Sequence, residues 1–344
     1  MEENSNKLTD INELGEFGLI KLISKNIKLK NKSSVLGIGD DSAIIDNSKL
    51  QTIVSTDMLV EGVHFDLSYF PLKHLGYKSI ISSISDIYSM NAECNQVTVS
   101  IAISNRFKVE SIQDLYSGIN LACKNYGVDL VGGDTTSSNK GIVISITAIG
   151  SAKKEKIVKR SGAKNNDLIV LTGSLGKAYL GLQVLEREKQ VFLVNQNSKP
   201  DLSPYTKLIE SQLKPEARKD VISFLDENNI IPSSMIDISD GLSSELIHLC
   251  SSSKVGCQIY EEKFNFDESF LSTCKEFNLE PSTIFLSGGE DYELLFTINQ
   301  DSYELIKDND YFNVIGHITE NLDLELNGKD SKKTIINSMG WKSF

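Results

Sequence analysis

Histidine is scarce in this chain, and the four present (His64, His74, His248 and His317) stand at no spacing that binds a metal. Zinc chemistry is therefore not expected. The five cysteines (Cys94, Cys123, Cys250, Cys257 and Cys274) are scattered and form no C-x-x-C pair. They read as reduced thiols rather than as a disulfide framework or a zinc site. No apolar run approaches the roughly 18–20 residues that span a bilayer. The opening segment also lacks the basic start, apolar stretch and small-residue cleavage site of a secretory signal. A cytoplasmic protein with no membrane partner is expected. Positive charge is short as well: 35 Lys and Arg face 47 Asp and Glu, for a formal net charge of −12. That argues against a general nucleic-acid or anionic-membrane binder and leaves room for a local basic pocket that takes a phosphate.

Familiar nucleotide signatures are missing too. The stretch "TGSLGKA", Thr172 to Ala178, resembles a Walker A loop but has only Ser174 and Leu175 between Gly173 and Gly176, and Ala178 follows Lys177. It reads as a tight strand-to-helix connection. Neither a protein-kinase motif set nor a Rossmann G-x-G-x-x-G is present.

What the chain does contain is length, 344 residues with 40% hydrophobic content, enough for a large core in two domains. The expected class is α+β, with a first domain over 1–152 and a second over 153–344. "LGEFGLIKLISKNI" predicts a short N-terminal helix. "QTIVSTD", "NQVTVSIAIS" and "KGIVISITAIG" predict strands, and "LGYKSIISSISDIYSMNA" and "SIQDLYSGINLACKNYG" predict helices, the second stopped by Gly127. In the second half, "DLIVLTGSLGKAYLGLQVLERE" and "SSMIDISDGLSSELIHLCSSS" each read as strand, turn and helix, with Ser239 or Asp240 placed to cap the latter helix. "VFLVNQNSKPDLSPYT" reads as a long loop or lid, and "STIFLSGGEDYELLFTI" as strand, turn, strand.

Carboxylates recur in one pattern: apolar strand, small residues, then Asp. Asp57, Asp134 and Asp237 each stand at an expected strand end, Asp40 and Asp41 follow Gly39, and Glu290 and Asp291 follow a double glycine. Open sheets place binding groups at such positions. Asp86 lies on a predicted helix opposite the apolar stripe, among Ser82, Ser83, Ser85 and Ser89, with Lys78 the only other charge. Solvated helix faces carry Glu, Lys and Arg in quantity, so this face is built for close approach by another element. Carboxylates grouped with Ser55, Thr56, Thr135 and Thr136, without histidine geometry, suit Mg²⁺ and phosphoryl transfer. Calcium is the rival ion, but no EF-hand spacing is present.

In order along the chain, "GIGDDSA", "STDMLVEGVHF", "SDIYSMNA", "VGGDTTSS", "KRSGAKNNDLIVLTG", "IDISDGL", "LSGGEDYEL" and the terminal "GW" resemble the motifs of thiamine-monophosphate kinases. These enzymes belong to the aminoimidazole-ribotide synthetase-like ATP-binding superfamily. The resemblance runs from about Glu16 to Phe344. It implies two α/β domains, a homodimer formed through the N-terminal sheet, and transfer of the ATP γ-phosphate to thiamine monophosphate with several Mg²⁺ ions. Carried over by position, Asp41, Asp57, Asp86, Asp134 and Asp237 are implied as magnesium carboxylates, helped by Ser55 and Thr56, with Asp240 a further ligand. Gly133, Asp134, Arg160 and Ser239 are implied as ATP contacts, joined by Tyr116 from the neighbouring subunit. His64, Glu290 and Trp341 are implied as contacts to thiamine phosphate. The chain departs from the family in ending Lys342-Ser343-Phe344 and in Ser137 and Ser138 after the threonine pair. The alternatives are a superfamily member with another acceptor and a catalytically silent nucleotide-binding protein.

Overall fold

A computed structural model describes residues 34–36, 40–41, 43–47, 49–197, 199–337 and 340. The expected N-terminal helix and Trp341 lie outside the described residues. The strands are β1 (Ser34–Leu36), β2 (Ala43–Asn47), β3 (Leu50–Val60), β4 (Glu93–Ile103), β5 (Asp129–Ser137), β6 (Ile142–Ala152), β7 (Leu168–Thr172), β8 (Ser234–Asp237), β9 (Gly256–Tyr260), β10 (Leu294–Ile298), β11 (Phe312–Thr319), β12 (Leu324–Asn327) and β13 (Lys333–Ile335). The α-helices are α1 (Leu72–Ser89), α2 (Val109–Tyr126), α3 (Lys177–Val194), α4 (Thr206–Leu213), α5 (Lys219–Glu227), α6 (Leu242–Ser253), α7 (Glu268–Glu276), α8 (Pro281–Ser287) and α9 (Tyr303–Ile306).

Two mixed sheets result. The first runs β1-β2-β3-β6-β4-β5 and the second β13-β12-β9-β11-β7-β10-β8. In the first, only β4 and β5 pair in parallel, and α2 makes the crossover between them that parallel pairing requires. Its strands alternate: Val97, Val99 and Ile101 of β4 and Ile142, Ile144, Ile146 and Ala148 of β6 are buried against α1 and α2, while Thr56, Met58 and Ser100 on the other face are exposed. One face of this sheet is thus covered by helices and the other is open.

Helix α1 is buried nearly all round. Ile80, Ile81, Ile84 and Ile87 join the core of the first sheet, and Gly76 and Gly118 let α1 and α2 cross with backbones in contact. A Cβ on Gly76 would run into the Leu115 carbonyl, and one on Gly118 into that of Lys73. On the remaining face Lys78, Ser85 and Ser89 are buried; Ser85 reaches Asp237 of the second sheet and Lys78 the Gln212 carbonyl of α4. The serine-lined face expected to receive another element does so.

Several expectations are corrected. Asp57 and Asp134 lie inside β3 and β5, not at their ends. "STIFLS" forms helix α8, opened by Pro281 in its first turn, with Phe285 stacked on Phe264 at 4.2 Å between ring centroids. The expected 191–206 loop is shorter, because α3 continues through Val194 and α4 starts at Thr206. Neither Ser239 nor Asp240 caps α6. Gly241, at φ +121°, is the N-cap, and no side chain bonds there. The Glu245 carboxylate instead accepts the amides of Asp240 at 2.9 Å and Ser239 at 3.3 Å. Gly127 does end α2 in the left-handed region, all five cysteines are buried and unbridged, and no described helix is long and apolar enough to cross a membrane.

The α1–α2 crossing gives a direct test. Ala favours a helix over Gly by about 1 kcal/mol, yet Gly118→Ala should destabilise the protein by about 1–3 kcal/mol through overpacking. Urea unfolding of the variant checks this, and a gain in stability would contradict the close crossing.

Candidate active site

The site lies where the two sheets meet. Asp41 comes from the turn before β2, Asp86 from α1 and Asp237 from the end of β8, and one carboxylate oxygen of each lies within 4.8 Å of the others. Asp57, on the helix-facing side of β3, is close enough to raise the pKa of Asp86. Hydroxyl donors hold the group. Ser85 Oγ donates to Asp237 Oδ2 at 2.6 Å, and Ser55 Oγ donates to Asp86 Oδ2 and contacts the Asp41 carbonyl at 3.3 Å.

Burial pushes the Asp86 carboxyl well above its ordinary range, and the charges of Asp57, Asp237 and Asp41 push it further. Asp237 rises to about 7, from burial first and then Asp41. Asp40 rises to about 6 from the same two causes, and burial raises Asp57. Against this stands Arg160, whose Nε donates to Asp41 Oδ1 at 3.0 Å and whose backbone amide reaches Asp40 Oδ1 at 3.4 Å. Asp41 Oδ2 and Asp57 Oδ2 are buried with no hydrogen-bond partner among the described residues. Convergent, mutually repelling, partly unpartnered carboxylate oxygens fit a hard divalent cation, and an all-oxygen set without His or Cys suits Mg²⁺.

A second wall is formed by two loops in backbone contact. Glu290 N donates to the Ser239 carbonyl at 2.8 Å, and Tyr292 N to that of Ile238 at 2.9 Å. Gly289 is required there, since a Cβ would strike the Ser239 and Asp240 backbone. His64 accepts the Val60 amide on Nδ1 at 3.0 Å and lies near Asp57. The "TGSLGKA" turn is no phosphate loop. The Asp291 carboxylate already accepts the Gly176 and Ala178 amides, at 2.7 and 3.3 Å.

The AIR synthase related protein N-terminal domain model matches residues 39–152. The thiamine-monophosphate kinase of Aquifex aeolicus is 32% identical over 97% of this chain and 99% of its own length. That of Bacillus subtilis is 32% identical over 86% of each. The chain belongs to the thiamine-monophosphate kinase family. Among solved structures, AaThiL complexed with AMPPCP and TMP superposes with a TM-score of 0.84 at 30% identity, covering 98% of this chain and 99% of that one.

Not every residue singled out by the resemblance to thiamine-monophosphate kinases falls in this cluster. Thr56 points to the open face of β3, where its hydroxyl bonds the Ile146 carbonyl at 3.0 Å and lies 3.1 Å from that of Thr147. Asp134 is exposed on edge strand β5 and accepts the Thr135 amide at 2.8 Å. Its neighbour Gly133 aligns with Asp57 across β6 and β4, three strand spacings or about 14 Å away. Tyr116 sits half-buried on α2, packed on the first core. Asp240 and Ser239 flank the cluster in the loop after β8. Sequence reasoning missed Ser85, Gln212 and Glu245 as supports, and treated Lys78 only as a lone charge. Only the serine-rich face of α1 signalled the first.

The raised carboxylates set a pH dependence. Their folded-state pKa values lie above the unfolded value near 4, so the folded state holds the extra protons. Stability of the metal-free protein should therefore rise as pH falls from about 8 to about 5, and fall as pH rises through about 6 and 7. Thermal melts across that window check it, and Asp237→Asn should flatten the slope.

Proposed function

We propose that this protein transfers the γ-phosphate of ATP to thiamine monophosphate, giving thiamine diphosphate and ADP. The carboxylate cluster of Asp41, Asp57, Asp86 and Asp237, with unpartnered buried oxygens beside Arg160, carries the reading. The similar AaThiL chain, complexed with AMPPCP and TMP, supports both substrates. Held by these aspartates, with Ser55 and Asp240 at the rim, Mg²⁺ would supply charge neutralisation for the phosphates.

The rest is positioning. A phosphate monoester with a second pKa near 6 is mostly a dianion at neutral pH, so its oxygen attacks the γ-phosphorus as the bond to the ADP oxygen breaks. No proton moves, and no general base is needed. Arg160 lies where it can trade part of its contact with Asp41 for a phosphate oxygen. His64 and Glu290, on the loops facing the cluster, are read as contacts to thiamine phosphate, and Ser239 as an ATP contact. Direct in-line transfer then rests on alignment and electrostatics.

We also read the chain as two domains divided at 152/153, and as a homodimer. The open face of the first sheet, with Thr56, Met58, Thr98, Ser100 and Thr147, offers the surface. Gly133 and Asp134, which stand away from the chain's own cluster, and Tyr116 would then serve the neighbouring subunit. On this reading, Met58→Lys with Thr147→Lys should give a monomer by light scattering and lose most activity.

The decisive assay is ADP release from Mg²⁺-ATP with and without thiamine monophosphate. Turnover should require both the acceptor and magnesium, and Asp57→Asn should lower it by about 10²–10³-fold. Bound ATP with no stimulation by thiamine monophosphate would assign a different acceptor.

A further inference from the structure

Lys78 is almost completely buried, 1% exposed, in the middle of α1. Its Nζ lies 2.9 Å from Glu290 Oε2 and donates to the Gln212 carbonyl at 3.1 Å, with the Phe70 ring 5.4 Å away. Gln212 Nε2 donates to the same Glu290 oxygen at 2.9 Å. Both bonds therefore land on Oε2, and Oε1 has no partner among the described residues. The Glu290 side chain is 30% exposed. Its backbone is held as firmly: φ is +65°, a region a glutamate rarely adopts, and its amide is tied to Ser239.

A buried lysine needs a partner, but a buried ion pair is a poor source of stability compared with apolar packing. What this pair does supply is direction. From the Nζ of Lys78 and the amide of Gln212, Glu290 receives two donors that fix one oxygen and leave the other without a partner among the described residues. Lys78 stands on the same helix as Asp86, eight residues or about 12 Å along the axis, so the helix that carries a cluster carboxylate also sets the opposite wall.

We propose that Lys78 is a positioning residue for the acceptor: through its ion pair it aims Glu290 Oε1 at the thiamine part of thiamine phosphate. The inference rests on the reading of Glu290 as a substrate contact. A free carboxylate oxygen suits the cationic thiazolium or the amino group of the pyrimidine, whereas the phosphate would be repelled by it. Lys78 itself touches no substrate.

The test is steady-state kinetics of Lys78→Met, Glu290→Gln and the double variant, with both substrates varied. Lys78→Met should raise KM for thiamine monophosphate about tenfold, the effect of losing a bond to a charged group, and leave KM for ATP nearly unchanged. In the double variant the two effects should not multiply, since both act through one oxygen. Gln212→Met, which removes one donor and keeps the charge pair, should raise the same KM several-fold and serves if Lys78→Met does not fold. An unchanged KM for thiamine monophosphate in Lys78→Met or Gln212→Met, with a lower melting temperature, would make the pair structural and overturn the proposal. Multiplying effects in the double variant would overturn it as well. If Glu290→Gln itself leaves that KM unchanged, the substrate reading of Glu290 falls, and the proposal falls with it.

Discussion

Mutual repulsion among Asp41, Asp57, Asp86 and Asp237 is the constraint around which the molecule is arranged. Burial raises the energy of ionised Asp86, Asp57 and Asp237, and for Asp86 three neighbours of like sign raise it further. Such a group persists only where rigid elements hold each member from a different direction. Here one comes from a turn, one from a strand of the first sheet, one from a helix between the sheets and one from a strand of the second. Both sheets must therefore be formed, and seated on each other, before the cluster exists. The seating relies on direct bonds such as Ser85 to Asp237 and Tyr77 and Tyr126 to Glu216.

Helix α1 is the element that converts this constraint into a site. An ordinary amphipathic helix buries one stripe. This one needs three buried faces: isoleucines for the first sheet, glycine for α2, and a polar face on which Ser85 reaches the second sheet, Lys78 reaches α4 and Asp86 meets Ser55 of β3. Serine suits the last face because it is small enough for close packing and, at Ser85, brings a donor for Asp237. Larger polar residues would hold the sheets apart, and apolar ones would leave the carboxylate oxygens without donors.

Much of this was legible in the residues, and the limits follow from the physics of each signal. Period-two alternation in β3, β4 and β6 and the Gly127 stop are local and read correctly. The serine face of α1 announced a partner because its composition was wrong for solvent. "STIFLS" was misread because a short apolar run has no period that separates strand from helix, and the proline that decided it stands just outside the run. Thr56 and Asp57 were grouped together, although adjacent strand residues must face opposite ways. The Lys78–Glu290 pair joins residues far apart in sequence and has no local signature. Asp134 sits in a motif that is weak on its own and gains weight only from the ordered set, and within the chain it stands on the open sheet face and away from the cluster.

On the proposed reading, the same charge count would favour imported cations over more basic residues. Among the described residues, Arg160 is the one cation bonded into the cluster, against four carboxylates. Lys78, the other buried cation nearby, is committed to Glu290 and Gln212. Two phosphate groups brought into this environment would add to the repulsion unless divalent ions arrived with them. A site lined with permanent lysines would bind ATP, product and inorganic phosphate alike, whether or not metal was present. A carboxylate site repels free phosphates and accepts them only as metal complexes. If the cluster holds Mg²⁺ as proposed, binding would be tied to the species in which the γ-phosphate is already polarised, and the excess of acidic residues would act as a filter for the reactive form of the nucleotide.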